Sequence, residues 1–171
     1  MQRADRSNPT ATRRILNWVP AALAVAMIAI ESTPAMGANN TSRWLLPIWV
    51  HLFGPISPER WEVVHHYIRK TGHFVGYGGG VSLSFFYGWR YSLPLQLRSL
   101  NAARMRSSLL AVFCTLVVAS ADEYHQSFLP NRTSSVFDVG IDVCGAIVAQ
   151  VILLSLLRLF ARSREANAVS A

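Results

Sequence analysis

Apolar residues along this chain gather into four stretches that lack Asp, Glu, Lys, Arg and His: Ile15–Ile30, Phe74–Trp89, Ser107–Ala121 and Val143–Leu157. Each is 15 or 16 residues long, against the roughly 20 that cross a hydrocarbon core. Their length and near-total apolarity predict short transmembrane helices rather than buried soluble ones. With boundary residues added, the spans fall at about 15–31, 71–89, 107–124 and 138–158. The expected fold is all-α, a polytopic four-helix membrane domain over 15–160 between cytoplasmic tails at 1–14 and 161–171. The loop after the first span holds Trp44-Leu45-Leu46-Pro47-Ile48-Trp49-Val50, a proline-broken, tryptophan-rich segment that predicts an interfacial anchor. Ser57-Pro58-Glu59 then starts a helix with Ser57 as N-cap and Pro58 at its first position, running through Trp61, Val64 and Ile68 into the second span. Ser92-Leu93-Pro94 and Leu129-Pro130-Asn131 read as turns, and Arg164–Ala171 as a frayed tail.

Small residues form one regular pattern. Gly72, Gly76, Gly80, Ser84 and Gly88 recur every four residues, a ridge that lets another helix approach closely. Ala111, Thr115 and Ala119, or Gly145 and Ala149, are the candidate surfaces to face it.

Charge placement orients the spans. With the N-terminus inside, eleven of the sixteen basic residues fall on inner segments and five on outer ones, as the positive-inside rule expects. All five histidines and seven of the nine acids fall outside. An even number of spans puts both termini in the cytoplasm. A competing reading makes the first span a signal peptide, with Arg13-Arg14 before it and a cleavage site at Ala35-Met36-Gly37. The net charge of +7 does not imply nucleic acid, because the charges punctuate apolar runs and form no basic face. Cys114 and Cys144 lie at different expected depths in apolar runs and read as packing residues, not as a disulfide. Asn39, Asn40 and Asn131 head N-x-S/T triplets, relevant only where the source glycosylates them.

Because every apolar run is short, a polar residue must enter the membrane boundary at each helix end. Inner arginines can snorkel. Short carboxylates at the outer ends cannot, so Glu31, Asp122, Glu123, Asp138 and Asp142 are expected to turn inward and find partners. Helical spacing sets Lys70, His73 and Tyr77 on one face, Asp122, His125 and Gln126 on another, and Asp138, Asp142 and Gly145 on a third. Arg132, in the last outer loop, can fold back onto these carboxylates.

Lys70-Thr71-Gly72-His73-Phe74 with Tyr77 resembles the second-helix motif of the VanZ-like family. Asp122-Glu123-Tyr124-His125-Gln126, Pro130-Asn131-Arg132, Asp138 and Gly145 resemble its second motif. Asp142 departs from the pattern, where the family leads one to expect asparagine. The resemblance covers roughly residues 15–160 and implies a four-helix protein of the bacterial inner (plasma) membrane, in a family with one member linked to teicoplanin resistance.

Several functions suit such a cluster. Lys70, Tyr77, Gln126, Arg132, Asp138 and Asp142 are candidates for gripping an anionic lipid or cell-wall precursor. His73, Asp122, Glu123 and His125 are candidates for acid–base hydrolysis or transfer on a lipid phosphate or sugar, with water as nucleophile. No cofactor is predicted; His73, Glu123, His125 and Asp138 are weak candidates for a divalent metal, without H-x-x-x-H or H-E-x-x-H spacing. The bland alternative is an ion-pair staple. A proton-coupled transporter fits least, for want of polar residues leading inward.

Overall fold

A computed structural model describes residues 10–92, 100–129, 132 and 134–169. These form helices and turns, with no strand among them. Helix α1 (Ala11–Leu16) is capped by Thr10, whose hydroxyl accepts the Arg13 N–H, and continues beyond a bend at Asn17 and Trp18 as α2 (Val19–Glu31). A 3₁₀ turn, Pro34–Met36, leads to α3 (Ala38–Phe53). Then α4 (Pro58–Val75), a π-helical segment (Gly76–Ser82) and α5 (Leu83–Ser92) follow one another as a single rod. Helices α6 (Leu100–Gln126) and α7 (Val136–Val169) complete the bundle.

The start of α4 is as the sequence predicts: Ser57 Oγ accepts the Arg60 N–H and Pro58 occupies the first turn. Two local expectations fail. Helix α3 runs unbroken through Pro47, although proline supplies no N–H to the preceding turn. One α4 side chain, Trp61, contacts the helix on both sides of that gap, bonding Ser42 and meeting the Trp49 ring. Helix α7 also continues past Arg164 to Val169 where a frayed tail was expected. Of the predicted turns, Leu93, Pro94, Pro130 and Asn131 lie outside the described residues.

Three helical stretches are long and apolar enough to cross a membrane: Ala11–Glu31, Leu100–Gln126 and Val136–Ser163. Only 17% of the α7 window is buried, and Val151, Ile152, Leu159 and Phe160 point outward. So much contiguous apolar surface is stable against lipid and not against water. The remaining expected span, 71–89, is not one uniform helix. It begins in the polar α4 and changes helix type at Gly76.

Consecutive rods alternate in direction. At one end the Ser92 hydroxyl donates to the Arg14 carbonyl at 3.4 Å and Trp18 meets Trp89 edge-on, with ring centroids 4.9 Å apart. The other end gathers Ser32, Lys70, His125, Arg132 and Asp138. It follows that the α4–α5 rod and α7 run parallel. Lys70 pairs with Asp138, and farther along Ser82 is bonded by Gln150, the same 68 residues apart in sequence. Between these pairs the two backbones touch. A Cβ built on Gly78 would lie 2.6 Å from the Gly145 carbonyl oxygen, and one on Gly145 would lie 3.0 Å from the Phe74 carbonyl carbon. Small buried residues, including Ala111, Thr115, Ala119 and Ala146, fill the neighbouring interior. Such close approach is how membrane helices gain dispersion energy where lipid removes the hydrophobic drive.

The predicted ridge is not the contact surface. A Cβ at Gly72, Gly76 or Gly80 meets nothing within 4 Å, and only Gly88 of the series is crowded, by the Trp18 ring at 2.7 Å. The π-helical segment is the reason. Its i→i+5 bonding adds a residue to the turn, so residues four apart drift out of line and Gly78 turns towards α7. Gly145 is a partner, as the sequence allowed; the glycine it meets is a different one. Cys114 and Cys144 are free thiols.

Candidate functional site

Where α2 and α6 end and α7 begins, a cleft of about 630 Å³ opens between α3, α4, α6, the start of α7 and Arg132. Its wall is built on α4. Trp61, His65, Arg69, His73 and Tyr77 recur every four residues and share one face. Trp61 Nε1 donates to Ser42 Oγ at 2.6 Å, and His65 Nε2 lies 3.1 Å from Thr41 Oγ1, so α3 is tied to α4 by two side-chain bonds. The His65 ring stacks on Trp61. Burial, and after it the charge of Arg69, holds the His65 imidazole below its ordinary pKa, favouring the neutral ring.

Three cross-helix pairs descend from the mouth. Lys70 forms an ion pair with Asp138. One turn deeper, His73 Nδ1 lies 3.4 Å from Asp142 Oδ1, and the Asp142 side chain is wholly buried. Below that, the Tyr77 hydroxyl donates to Asp122 Oδ2 at 2.9 Å, and Gln126 Nε2 donates to the same oxygen at 3.0 Å. Glu123 accepts the Ser135 N–H at 2.8 Å, which anchors the residues entering α7.

Arg132 does not fold back onto a carboxylate, as the sequence suggested. One terminal nitrogen donates to the main-chain carbonyls of Glu31 at 2.7 Å and Thr33 at 2.8 Å. The Glu31 carbonyl closes α2 and lacks a helical donor, whereas the Thr33 carbonyl also accepts the Met36 N–H at 3.1 Å; one planar cation reaches both. The Glu31 side chain is exposed, against the expectation that it turns inward. In its place the buried Ser32 enters the site, with its Oγ 3.2 Å from His125 Nδ1.

Six of the predicted residues line the cleft: Lys70, His73, Glu123, Gln126, Arg132 and Asp138. Tyr77, Asp122 and Asp142 stand behind its wall, and His125 turns to Ser32. No three His, Cys, Asp or Glu side chains among the described residues are grouped to hold a metal. The weak metal candidates are instead divided: His73 to Asp142, Glu123 to a main-chain N–H, His125 to Ser32 and Asp138 to Lys70.

A model of the VanZ/LLP1 family matches residues 2–159. The chain belongs to that family. No curated protein and no solved structure matches it. In this VanZ/LLP1 membrane protein the two runs that carry the resemblance are the runs that meet: Lys70, His73 and Tyr77 each find a partner among Asp138, Asp142 and Asp122.

Sequence reasoning passed over two parts of the VanZ/LLP1 chain. The first is Arg69, which lines the cleft and makes no hydrogen bond or ion pair among the described residues. Burial, and next the nearby charge of Arg132, pushes its guanidinium pKa down, against the pull of Asp138. Its spacing of four from both His65 and His73 was the available signal. The second is a polar link inside the membrane. Ser108 Oγ donates to Gln150 Oε1 at 2.8 Å, and Gln150 Nε2 donates to Ser82 Oγ at 2.9 Å and to the Ser82 carbonyl at 3.2 Å. Gln150 sits in a run notable for lacking charge, so nothing drew attention to an uncharged amide.

Proposed function

We propose that this VanZ/LLP1 protein binds an anionic lipid-linked or peptidoglycan-related component of the envelope, at the outer face of a bacterial inner membrane. The observation that carries this reading is a pair of guanidinium groups on the cleft wall, Arg69 and Arg132, neither of which is ion-paired to a carboxylate among the described residues, although Asp138 lies near the first and Asp122 and Glu123 near the second. Arg69 makes no hydrogen bond or ion pair among the described residues, and Arg132 is held by neutral carbonyls through one terminal nitrogen, with its Nε buried and its other terminal nitrogen left for a ligand. Two like charges held close in a partly buried site are unfavourable until an anion joins them. Guanidinium is the group best shaped to grip a phosphate or carboxylate through two parallel bonds. A role in glycopeptide resistance follows where the captured component is one the antibiotic needs.

The orientation rests on the charge asymmetry, with both termini cytoplasmic. In a cysteine-free background, a cysteine placed at Asn40 is expected to react with an impermeant maleimide added outside intact cells. One placed at Asn101 is expected to react only after permeabilisation; external reaction at Asn101 would overturn the arrangement.

For the site, Arg132→Lys retains a donor for the Glu31 and Thr33 carbonyls and loses the planar fork. The variant is expected to be as abundant and heat-stable as the wild type. Its affinity for glycerol 3-phosphate, measured by calorimetry in detergent, is expected to fall about 10- to 100-fold, the worth of one or two charge-assisted bonds. Arg69→Gln is expected to behave likewise. Unchanged affinity in both would return the cluster to an ion-pair staple.

A second reading, acid–base hydrolysis of a lipid phosphate or sugar, is favoured by one feature: His73 reaches the cleft with Asp142 behind its Nδ1. Turnover of a phosphate ester by the wild type, lost in His73→Gln with binding retained, would move the assignment from binder to enzyme.

A further inference from the structure

We infer that the ligand of this cleft is a lipid whose hydrocarbon chain lies in an apolar groove between α4 and α7. The inference rests on the anion-binding reading above and adds to it a second site and a ligand class. The groove, of about 460 Å³, is lined by Phe74, Val136, Phe137, Gly140, Ile141 and Cys144. None of these side chains is ionic. Phe74 directly follows His73, and Phe137 directly precedes Asp138. The polar cleft and the apolar groove are therefore neighbours on two sides of the Lys70–Asp138 pair.

Depth gives the arrangement its meaning. Ile141 and Cys144 lie three and six residues beyond Asp138, about 4.5 and 9 Å farther along the helix. The polar cleft is at the end of the bundle and the groove runs from it towards the middle. An amphiphile in the outer leaflet has this polarity, head at the boundary and chain inward. A soluble anion would use the cleft and leave the groove empty. The rim points the same way. Val136 and Phe137 are 86% and 85% exposed beside a cluster of charges, an arrangement that hydrocarbon covers favourably and water does not. The floor is open because residue 140 has no side chain, and a Cβ built there meets nothing within 4 Å.

The groove can thus be filled without disturbing the fold. Gly140→Phe is expected to leave the full-length protein folded and to block the chain's path. Cys144→Phe, which fills the groove from its inner end, provides an independent variant. The probes are dioleoyl phosphatidate, presented in phosphatidylcholine nanodiscs, and glycerol 3-phosphate, which carries the same head and no chain. The wild type is expected to bind both. Each variant is expected to bind glycerol 3-phosphate as the wild type does and phosphatidate about tenfold more weakly, or about 1.4 kcal/mol. In the wild type, phosphatidate should also slow N-ethylmaleimide labelling of the exposed Cys144 several-fold, with the half-buried Cys114 as internal reference. Variants that bind both probes like the wild type would overturn the chain seat and leave anion binding standing. So would Cys144 protection that is equal in pure phosphatidylcholine, the mark of ordinary boundary lipid, or protection that follows dimerisation. A wild type that binds neither probe would overturn the chain seat and the anion-binding reading together.

Discussion

Gly145→Leu is expected to abolish assembly of the bundle, leaving no folded protein to recover in detergent, while Gly76→Ala and Gly80→Ala assemble and melt like the wild type. The difference lies in what each new atom meets. At Gly145 even a Cβ would press into the main chain of Phe74, with its carbonyl carbon at 3.0 Å and its Cα at 3.2 Å. Main chain cannot rotate aside as a long side chain can, so α4 and α7 must separate. Separation takes the Lys70–Asp138 and Ser82–Gln150 pairs with it, because they lie on both sides of the contact. Overpacking a rigid site costs about 1–3 kcal/mol and occasionally more; the loss of two flanking polar links takes this case beyond that range. At Gly76 and Gly80 the added methyl enters open space, and alanine suits a helix better than glycine by up to about 1 kcal/mol. Thermal unfolding of the purified variants, with size-exclusion profiles, measures the contrast. A Gly145→Leu protein that melts normally would show that the crossing is looser than described.

His73→Leu is expected to destabilise the protein strongly, Asp142→Asn only mildly, and the double replacement His73→Leu/Asp142→Leu to recover most of the loss. Asp142 is wholly buried and neither of its oxygens has a hydrogen-bond partner among the described residues; its compensation is the imidazole at 3.4 Å. Removing that partner leaves a carboxylate alone in a low-dielectric interior, which costs about 3–5 kcal/mol in comparable buried pairs. Asparagine keeps an acceptor for a His73 Nδ1–H and carries no charge, so it avoids that penalty. Replacing both members by leucine removes the problem at its source, as apolar substitutes for buried ion pairs often do. The measurement is a double-mutant cycle on denaturation midpoints, which isolates the coupling from each single effect. A coupling energy near zero would mean that His73 and Asp142 are adjacent without depending on each other.

Much of this site was legible because helical spacing is a strong constraint. Once Lys70, His73 and Tyr77 are put on one face and Asp138, Asp142 and Gly145 on another, few pairings remain, and the chain uses them. The misreadings have local causes. A four-residue glycine period looks like an α-helical ridge, yet Gly78-Gly79-Gly80 also makes a poor α-helix, and the chain adopts a π-helical turn there instead. Arg132 was assigned to carboxylates because charges attract. Its observed partners are main-chain carbonyls at and just after the end of α2, which no residue type announces. Arg69 was hidden beside Lys70, the residue that matched a motif. Gln150 was hidden by being uncharged, although an amide in hydrocarbon also needs hydrogen-bond partners.

The matched order of partners along α4–α5 and α7 constrains how these two rods can move past each other. Slipping α7 by one turn in either direction would carry Ile141 or Ala149, each with a side chain, into the place where Gly145 has none. The same slip would set Asp142 or Ser134 against Lys70 and take Gln150 away from Ser82. The glycine contact and the Ser82–Gln150 bonds would be lost together, so sliding along this seam is costly even where Asp142 could replace Asp138 beside Lys70. The two parallel rods therefore act as the fixed jaw of the cleft. The opposing jaw is α3, tied to α4 by the Ser42–Trp61 and Thr41–His65 bonds and by the Trp49–Trp61 ring contact. Widening the cleft on that side would therefore break the clasp that Ser42 and Thr41 make with α4.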